Sequence, residues 1–408
     1  MKGNDLAGKI AVILRGLSYN GKRCGFVVYA GEGELPGSAH IDLPAGVREA
    51  GDDNTLITAV RDEVSDLFDG TPPSCPLFVE GVGSFAVSSS YDAALKTAGL
   101  PSFSPKVEHT IEGSKSLGSE VFSDRNFVVR DKVSVVTGGA QGFGEGIVKG
   151  LVAYGSVVFI ADLNVEGAKS LAERLNREYG RTVAVPVGVN VTDEASVSAM
   201  ISEIAQKAGG FDLFVSNAGV LKAASVKDME VSAFRFVTEV NYTGYFICVK
   251  HASRLLSLQN SSCAAAPAGK GLPYFTDIVQ INSKSGLEGS NKNGAYAGGK
   301  FGGIGLTQSF AMELITDNIK VNSICPGNFF EGPLWNDPEK GLFVQYLNTG
   351  KVPGAKTIED VKRYYESKVP MNRGCFPGDV LKAILYCVEQ VYETGQAVPV
   401  TGGQVMLK

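Results

Sequence analysis

The chain has 408 residues, 44% of them hydrophobic and 20% charged, with a net charge of −5. That size and apolar content support a sizeable core in roughly two or three domains, and no basic stretch recommends nucleic acid or an anionic membrane as a partner. Seven cysteines without a Cys-x-x-Cys pair read as reduced thiols, and the three histidines His40, His109 and His251 poorly supply a zinc site or a His-based triad, so no metal is expected.

At the start, "KIAVIL" is too short for the apolar region of a signal peptide, and no apolar run approaches the ~18 residues of a membrane span, so the expected location is cytoplasmic. "KIAVILR" and "CGFVVYA" read as strands and "DNTLITAVRDEVSDLF" as an amphipathic helix. "LFVEGVGSFAVSS" follows, then a helix in "YDAALKTAG". Residues 1–111 are thus expected to form a small α+β domain. The polar, serine- and glycine-rich "EGSKSLGSEVFSDRNFV" (112–128) reads as a linker. From 129 to 408 the pattern is regular: strand "KVSVVTGG", a helix from Phe143, strand "SVVFIADL", helix "EGAKSLAERLNREYG", strand "TVAVPVGVN", helix "DEASVSAMISEIAQKAG", strand "DLFVSNAG". Alternation of this kind predicts an α/β fold, a Rossmann-type doubly wound parallel sheet whose apolar strands are covered on both faces. "NSSCAAAPAGKG" (260–271) reads as a surface insertion before the strand "TDIVQINS".

The turn "TGGAQGFG" (Thr137–Gly144) joins the first strand of this region to its first helix. Gly138, Gly142 and Gly144, with Gln141 and Phe143 between them, allow a tight bend and close approach of a pyrophosphate to helix N–H groups; a plain structural turn uses the same residues. The next strand ends at Asp162, which can bond both hydroxyls of an adenosine ribose or merely cap the following turn. Gln141, Leu163 and Asn164 offer no cation to a 2′-phosphate, which favours NAD over NADP. Further on, "GAYAGGKFGG" (294–303) sets Tyr296 and Lys300 four residues apart, on one helix face. An ammonium beside a phenol lowers the phenol pKa and suits it to proton transfer. Close helix packing is the alternative reason for so many small residues.

These features come in an order that resembles the short-chain dehydrogenase/reductase family. Thr137, Gly138, Gly142 and Gly144 match its glycine motif, Asn217–Ala218–Gly219 its "NAG", and Asn241 lies in "NYTG". Ser283 ends the strand of "QINSKSG", Tyr296 follows thirteen residues later, and Pro326 and Gly327 stand in "CPG" after "IKVNSI". "TGQAVPVTGG" resembles the family's last strand. The resemblance implies Tyr296 as general acid/base, Lys300 as its partner and ribose ligand, Ser283 on the substrate oxygen, and Asn241 holding a water in a proton relay. It also implies NAD contacts from Asn190, Val191, Asn217, Ala218, Gly219, Pro326 and Gly327, and a homodimer or homotetramer. The chain departs from the family at Asn190, where an acid is frequent, and at Glu331, where a threonine commonly meets the nicotinamide carboxamide.

"QINSKSG", "KFGGIGLTQS", "YYESKVPMNRGC" and "TGGQVM" look similar to the sorbitol-6-phosphate 2-dehydrogenases of that family, which implies a sugar or polyol phosphate as substrate. Lys284 and Arg373 are the candidate phosphate ligands; each would otherwise be a solvated surface charge. Residues 329–372 are expected to form a lid, with Phe329, Phe330, Trp335, Phe343, Tyr346, Tyr364 and Tyr365 walling the pocket or packing its core. A dehydrogenase of an unphosphorylated sugar, or a dinucleotide-sensing scaffold, would use the same fold. In the first domain, "GVGSFAVSSSYDAA" resembles a stretch of class II aldolase domains, with Val82 where those carry a zinc-binding histidine. A scaffolding, oligomerisation or regulatory role is expected there. Since every matched motif lies beyond residue 130, hydride-transfer chemistry is expected to survive removal of 1–111.

Overall fold

The computed structural model describes residues 3–49, 52–68, 73, 75–103, 128–266 and 273–406; apart from Val128, the expected linker lies outside them. The N-terminal part runs α1 (Gly3–Leu17), β1 (Phe26–Gly31), β2 (Ala39–Ile41), α2 (Ala45–Glu49), α3 (Asp53–Val64), β3 (Leu77–Val79), β4 (Gly83–Ser88) and α4 (Tyr91–Thr97). Its strands form a mixed sheet in the order β1-β4-β3-β2. Asp52 caps α3, its carboxylate accepting from the backbone N–H groups of Asn54 and Thr55.

The expected strand "KIAVILR" is instead the middle of α1. Ile10, Ala11, Val12, Ile13 and Leu14 are all buried, because α1 is sandwiched between the small sheet and the helices of the large one. Over that stretch the helix is covered on every side and carries no polar residue, so it reads as the continuous apolar run of a buried strand.

The second part alternates as its sequence pattern predicts. It contains β5 (Val133–Thr137), α5 (Gly142–Ala153), β6 (Val157–Asp162), α6 (Val165–Tyr179), β7 (Ala184–Gly188), α7 (Glu194–Ala208) and β8 (Leu213–Ser216). Then come α8 (Val231–Thr238), a π-helical turn at Glu239–Thr243, α9 (Gly244–Ala265), β9 (Thr276–Ile281), a 3-10 turn at Lys284–Gly286 and α10 (Gly294–Leu314). The chain finishes with β10 (Ile319–Pro326), the short helices α11 (Pro333–Asn336), α12 (Leu342–Asn348) and α13 (Ile358–Ser367), then α14 (Pro377–Glu389) and β11 (Ala397–Val400). The seven strands are parallel in the order β11-β10-β9-β8-β5-β6-β7. From β5 the chain winds one way to β7 and then returns to β8 on the other side of β5. This reversal opens a crevice at the carboxyl ends of β5 and β8, the place where open α/β sheets bind ligands.

Half of the expected surface insertion at 260–271 is the last turns of α9. Asn260, Ser262 and Cys263 are buried, and Asn260 Nδ2 donates to Thr276 Oγ1 at 2.9 Å and to the Asp317 carbonyl at 2.9 Å. The small polar residues there permit a close helix crossing: a Cβ on Gly16 of α1 would collide with Ser262 Cβ. Residues 267–271 lie outside the described residues.

One apolar core runs from the small sheet through α1 into α7 and α9 of the large sheet. At its centre lies an ion pair between the two parts, Arg15 Nη2 to Asp212 Oδ2 at 2.7 Å, with both side chains at most 1% exposed. Asp212 also accepts from the Val133 N–H at 2.7 Å and the Tyr274 hydroxyl at 2.6 Å. Among the described residues no helix is long and apolar enough to cross a membrane.

Candidate active site

The crevice widens into a cavity of about 1570 Å3 under the lid formed by α11, α12 and α13. Its floor at one end is the β5–α5 turn. Gly138 and Gly142 sit at φ +61° and +59°, backbone that side-chain-bearing residues rarely adopt. Gly144 has a different reason to be glycine: a Cβ there would strike the Gly138 carbonyl oxygen. Gln141, Phe143 and these glycines line the cavity.

The end of β8 is tied to the same turn. Asn217 Nδ2 donates to the carbonyls of Thr137 at 2.9 Å and Gly138 at 3.0 Å, and Thr137 Oγ1 accepts from the N–H groups of Asn217 and Ala218. Asn217, Ala218 and Gly219 line the cavity as a result. Asp162 lies at the end of β6, where its carboxylate accepts from Ala140 N–H at 2.9 Å and Asn164 N–H at 2.8 Å. An ionised carboxylate has about four acceptor positions, so sites remain for ribose hydroxyls. Leu163, Asn190 and Val191 continue this wall, and Pro326 and Gly327 close it from β10. The cradle fits a dinucleotide: open backbone at a helix N-terminus, an acid at the next strand end, and no cation at Gln141, Leu163 or Asn164.

Ser283, Tyr296 and Lys300 meet on the opposite wall. Ser283 caps the 3-10 turn, its Oγ accepting from Ser285 N–H at 3.0 Å. Tyr296 and Lys300 lie one turn apart on α10, and Lys300 Nζ is 5.5 Å from the centroid of the Tyr296 ring. Lys300 is 4% exposed and donates to the Ile281 carbonyl at 2.9 Å. The expected lowering of the phenol pKa by its lysine is reversed. Burial pushes Tyr296 up to about 12, against the lowering effect of a hydrogen bond with Ser283. Burial likewise pushes Lys300 down to about 8. Helical spacing brings the pair together, and desolvation is the largest cause of the shift in each.

Asn241 lies in the π-helical turn behind this wall and does not line the cavity. Its Nδ2 donates to the carbonyls of Val220 at 2.7 Å and Val237 at 2.8 Å, and its Oδ1 accepts from Val220 N–H. Glycines of α10 let the helix press against this turn and against β9. A Cβ on Gly302 would stand 2.7 Å from the Tyr242 ring, one on Gly303 2.5 Å from the Gln280 amide, and one on Gly299 3.6 Å from Asn241 Cβ. Gly298 has open space instead.

Lys284, directly after Ser283, lines the cavity. Arg373 does not: it lies beyond the lid, with Nη1 and Nη2 on the Asp379 carboxylate at 2.6 and 3.0 Å. Position in the chain does not show that a carboxylate six residues away engages its fork. Glu331 is exposed and outside the cavity lining, whereas Asn328 and Phe329 are within it. Of the lid aromatics, Phe329, Trp335, Tyr346 and Tyr365 line the cavity; Phe330 and Phe343 pack the lid's own core, with Tyr364 against it. Lys351 and Lys368 also line the cavity; neither stands in a catalytic or cofactor-binding motif, so nothing in the sequence around them marks a site.

Residues 132–336 match the short chain dehydrogenase family. The chain is 38% identical over 278 residues to sorbitol-6-phosphate 2-dehydrogenase of Escherichia coli strain K12, an alignment covering 68% of this chain and 99% of that protein. It is 37% identical over 210 residues to trans-4-hydroxycyclohexanecarboxylate dehydrogenase of Sinomonas cyclohexanicum, covering 50% of this chain and 74% of that one. Among solved structures, sorbitol-6-phosphate 2-dehydrogenase from Erwinia amylovora superposes with a TM-score of 0.60 at 38% identity, covering 67% of this chain and 100% of that chain. With its parallel seven-stranded sheet, this chain belongs to the short chain dehydrogenase family and is an oxidoreductase.

Proposed function

We propose that the protein is an NAD-dependent dehydrogenase that interconverts a polyol phosphate and a ketose phosphate, with D-sorbitol 6-phosphate and D-fructose 6-phosphate as the pair. The observation that carries this reading is a single cavity in which a glycine cradle faces Ser283, Tyr296 and Lys300. The likeness to sorbitol-6-phosphate 2-dehydrogenases supports the choice of pair. NAD is favoured because Asp162 would repel a 2′-phosphate and Gln141, Leu163 and Asn164 offer no cation to it.

When bound, the nicotinamide supplies or accepts the hydride. Ser283 orients the substrate oxygen by a hydrogen bond. Tyr296, proton-loaded at neutral pH, gives its proton to that oxygen in the reducing direction. Lys300 holds its charge beneath the ring and the ribose. The Asn241 amide donates to Val220 and Val237 and so fixes the π-helical turn beside Lys300, from which Asn241 would hold a water in a proton relay to that lysine. Gly138, Gln141, Gly142, Phe143 and Gly144 receive the pyrophosphate, Asp162 and Leu163 the adenosine ribose, and Asn190 and Val191 the adenine. Asn217 to Gly219, with Pro326 and Gly327, flank the nicotinamide end.

The test is NADH and NADPH oxidation over fructose 6-phosphate, fructose and other ketoses. NADH with fructose 6-phosphate is expected to give the highest kcat/KM. A preference for NADPH would remove the cofactor assignment, and a preference for a free sugar would remove the substrate.

A further inference from the structure

We infer that Lys284, Lys351 and Lys368 together form the subsite that grips the phosphate of the substrate. The inference rests on the reading of this cavity as the substrate site and adds residues that motif and spacing did not supply.

The three lysines come from separate elements. Lys284 opens the 3-10 turn after Ser283, Lys351 follows α12, and Lys368 caps the end of α13. All three line the cavity that holds Ser283 and Tyr296. Among the described residues, many other lysines pair with a carboxylate: Lys9, Lys149, Lys169, Lys207, Lys250 and Lys320 each have one within 3 Å. Among the described residues no such ion pair is found for these three. Two rest on aromatic faces instead, Lys351 Nζ 4.0 Å from the Tyr346 centroid and Lys368 Nζ 4.1 Å from that of Tyr364. Such contacts leave the remaining ammonium protons free to donate.

The lysines are close enough to act on one another. Burial first, and then the facing charges of Lys284, Lys292 and Lys368, push Lys351 down to about 8. Lys284 is lowered by burial; Glu288, which also lines the cavity, opposes this, and Lys368 adds a smaller lowering. Lys292 is occupied by the Thr349 carbonyl at 3.0 Å and does not line the cavity. Lys222 and Lys340 also line the cavity but are exposed and do not act on Lys351. Like charges gathered in a half-buried cavity repel, and an anion among them offsets that cost. Ammonium groups arriving as point charges from three elements suit a tetrahedral phosphate; a planar carboxylate is better matched by an arginine fork. Because Lys284 adjoins Ser283, the phosphate would lie along the sugar from the reacting carbon, with the aromatic wall of Trp335, Tyr346 and Tyr365 beside it.

The test uses the full-length protein with Lys351→Gln, Lys368→Gln, the double variant, and Lys351→Arg as a charge-keeping control. The first readout is calorimetric binding of inorganic phosphate with NADH saturating, so that the glycine cradle is filled. The second is kcat/KM for fructose 6-phosphate against that for fructose. Each glutamine variant is expected to weaken phosphate binding and lower the kinetic ratio by about tenfold, with Lys351→Arg close to the parent. If the parent binds phosphate through these lysines but reduces no phosphorylated ketose, the proposed substrate falls and the subsite stands. If the double variant binds phosphate as tightly as the parent, or both kinetic arms move equally, the subsite is wrong.

Discussion

Tyr296 and Lys300 carry opposite shifts from one cause. Lys300 is buried and Tyr296 half-buried in the cavity wall, and desolvation disfavours whichever form is charged, the phenolate of one and the ammonium of the other. At neutral pH the phenol is therefore loaded with its proton, ready to act as an acid. Tyr296→Phe is expected to lower turnover by about a hundredfold or more while dinucleotide affinity, read by NADH fluorescence titration, stays near that of the parent. The lysine sets the pH response. Its pKa of about 8 lies below the usual value, so its charge is present below that pH and lost above it. The other groups facing it are Tyr296 on its own helix, Cys325 on β10 and the Ile281 carbonyl. With substrates saturating, kcat for carbonyl reduction is expected to fall as pH rises through about 8, while Tyr296, at about 12, keeps its proton. A rate that stays flat across that range would mean that Lys300 is not needed as a cation. The i, i+4 spacing made this pair legible in the sequence, but the direction of the shifts was not. Depth of burial is a property of the packed sheet and not of the helix that bears the residues.

At the level of elements, the β5–α5 turn shows how backbone contact fixes residue type. A Cβ at position 144 would meet the Gly138 carbonyl, a backbone atom that cannot swing aside. Gly144→Ala is expected to cost about 1–3 kcal/mol of stability and to weaken dinucleotide binding, measured by urea unfolding and NADH titration. Unchanged affinity would mean that the turn can relax without disturbing the cradle. The strands and helices from β5 onward were legible because each carries its own period and its own capping or turn residues, such as Asp193 before α7 and Gly209 after it. The miss at α1 has a plain cause: over residues 10–14 it is packed on every side, so that run carries no polar residue to mark the helical period. The end of α9 was missed for the opposite reason, since its serines and asparagine look like a loop while their hydrogen bonds lie inside.

For the whole molecule, the joint between the two parts matters more than their sequence boundary. Removing residues 1–111 would strip α1 from α7 and α9 and leave Asp212 buried without Arg15. The expectation that the dehydrogenase part functions alone is therefore revised: the truncated chain is expected to be insoluble or largely unfolded. Arg15→Met in the full chain is the milder probe, expected to destabilise by about 3–5 kcal/mol because it orphans a buried charge. Equal denaturation midpoints for variant and parent would show that Asp212 finds enough support from Val133 and Tyr274.

The central claim, hydride transfer to a ketose phosphate, is tested most directly by isotope transfer. The full-length protein would be incubated with NADH deuterated at the transferable position and with fructose 6-phosphate. The account predicts sorbitol 6-phosphate carrying one deuterium at C2, with label transfer slowed by about a hundredfold or more in Tyr296→Phe. Absence of label from the sugar phosphate, while free fructose or another carbonyl compound acquires it, would contradict the account.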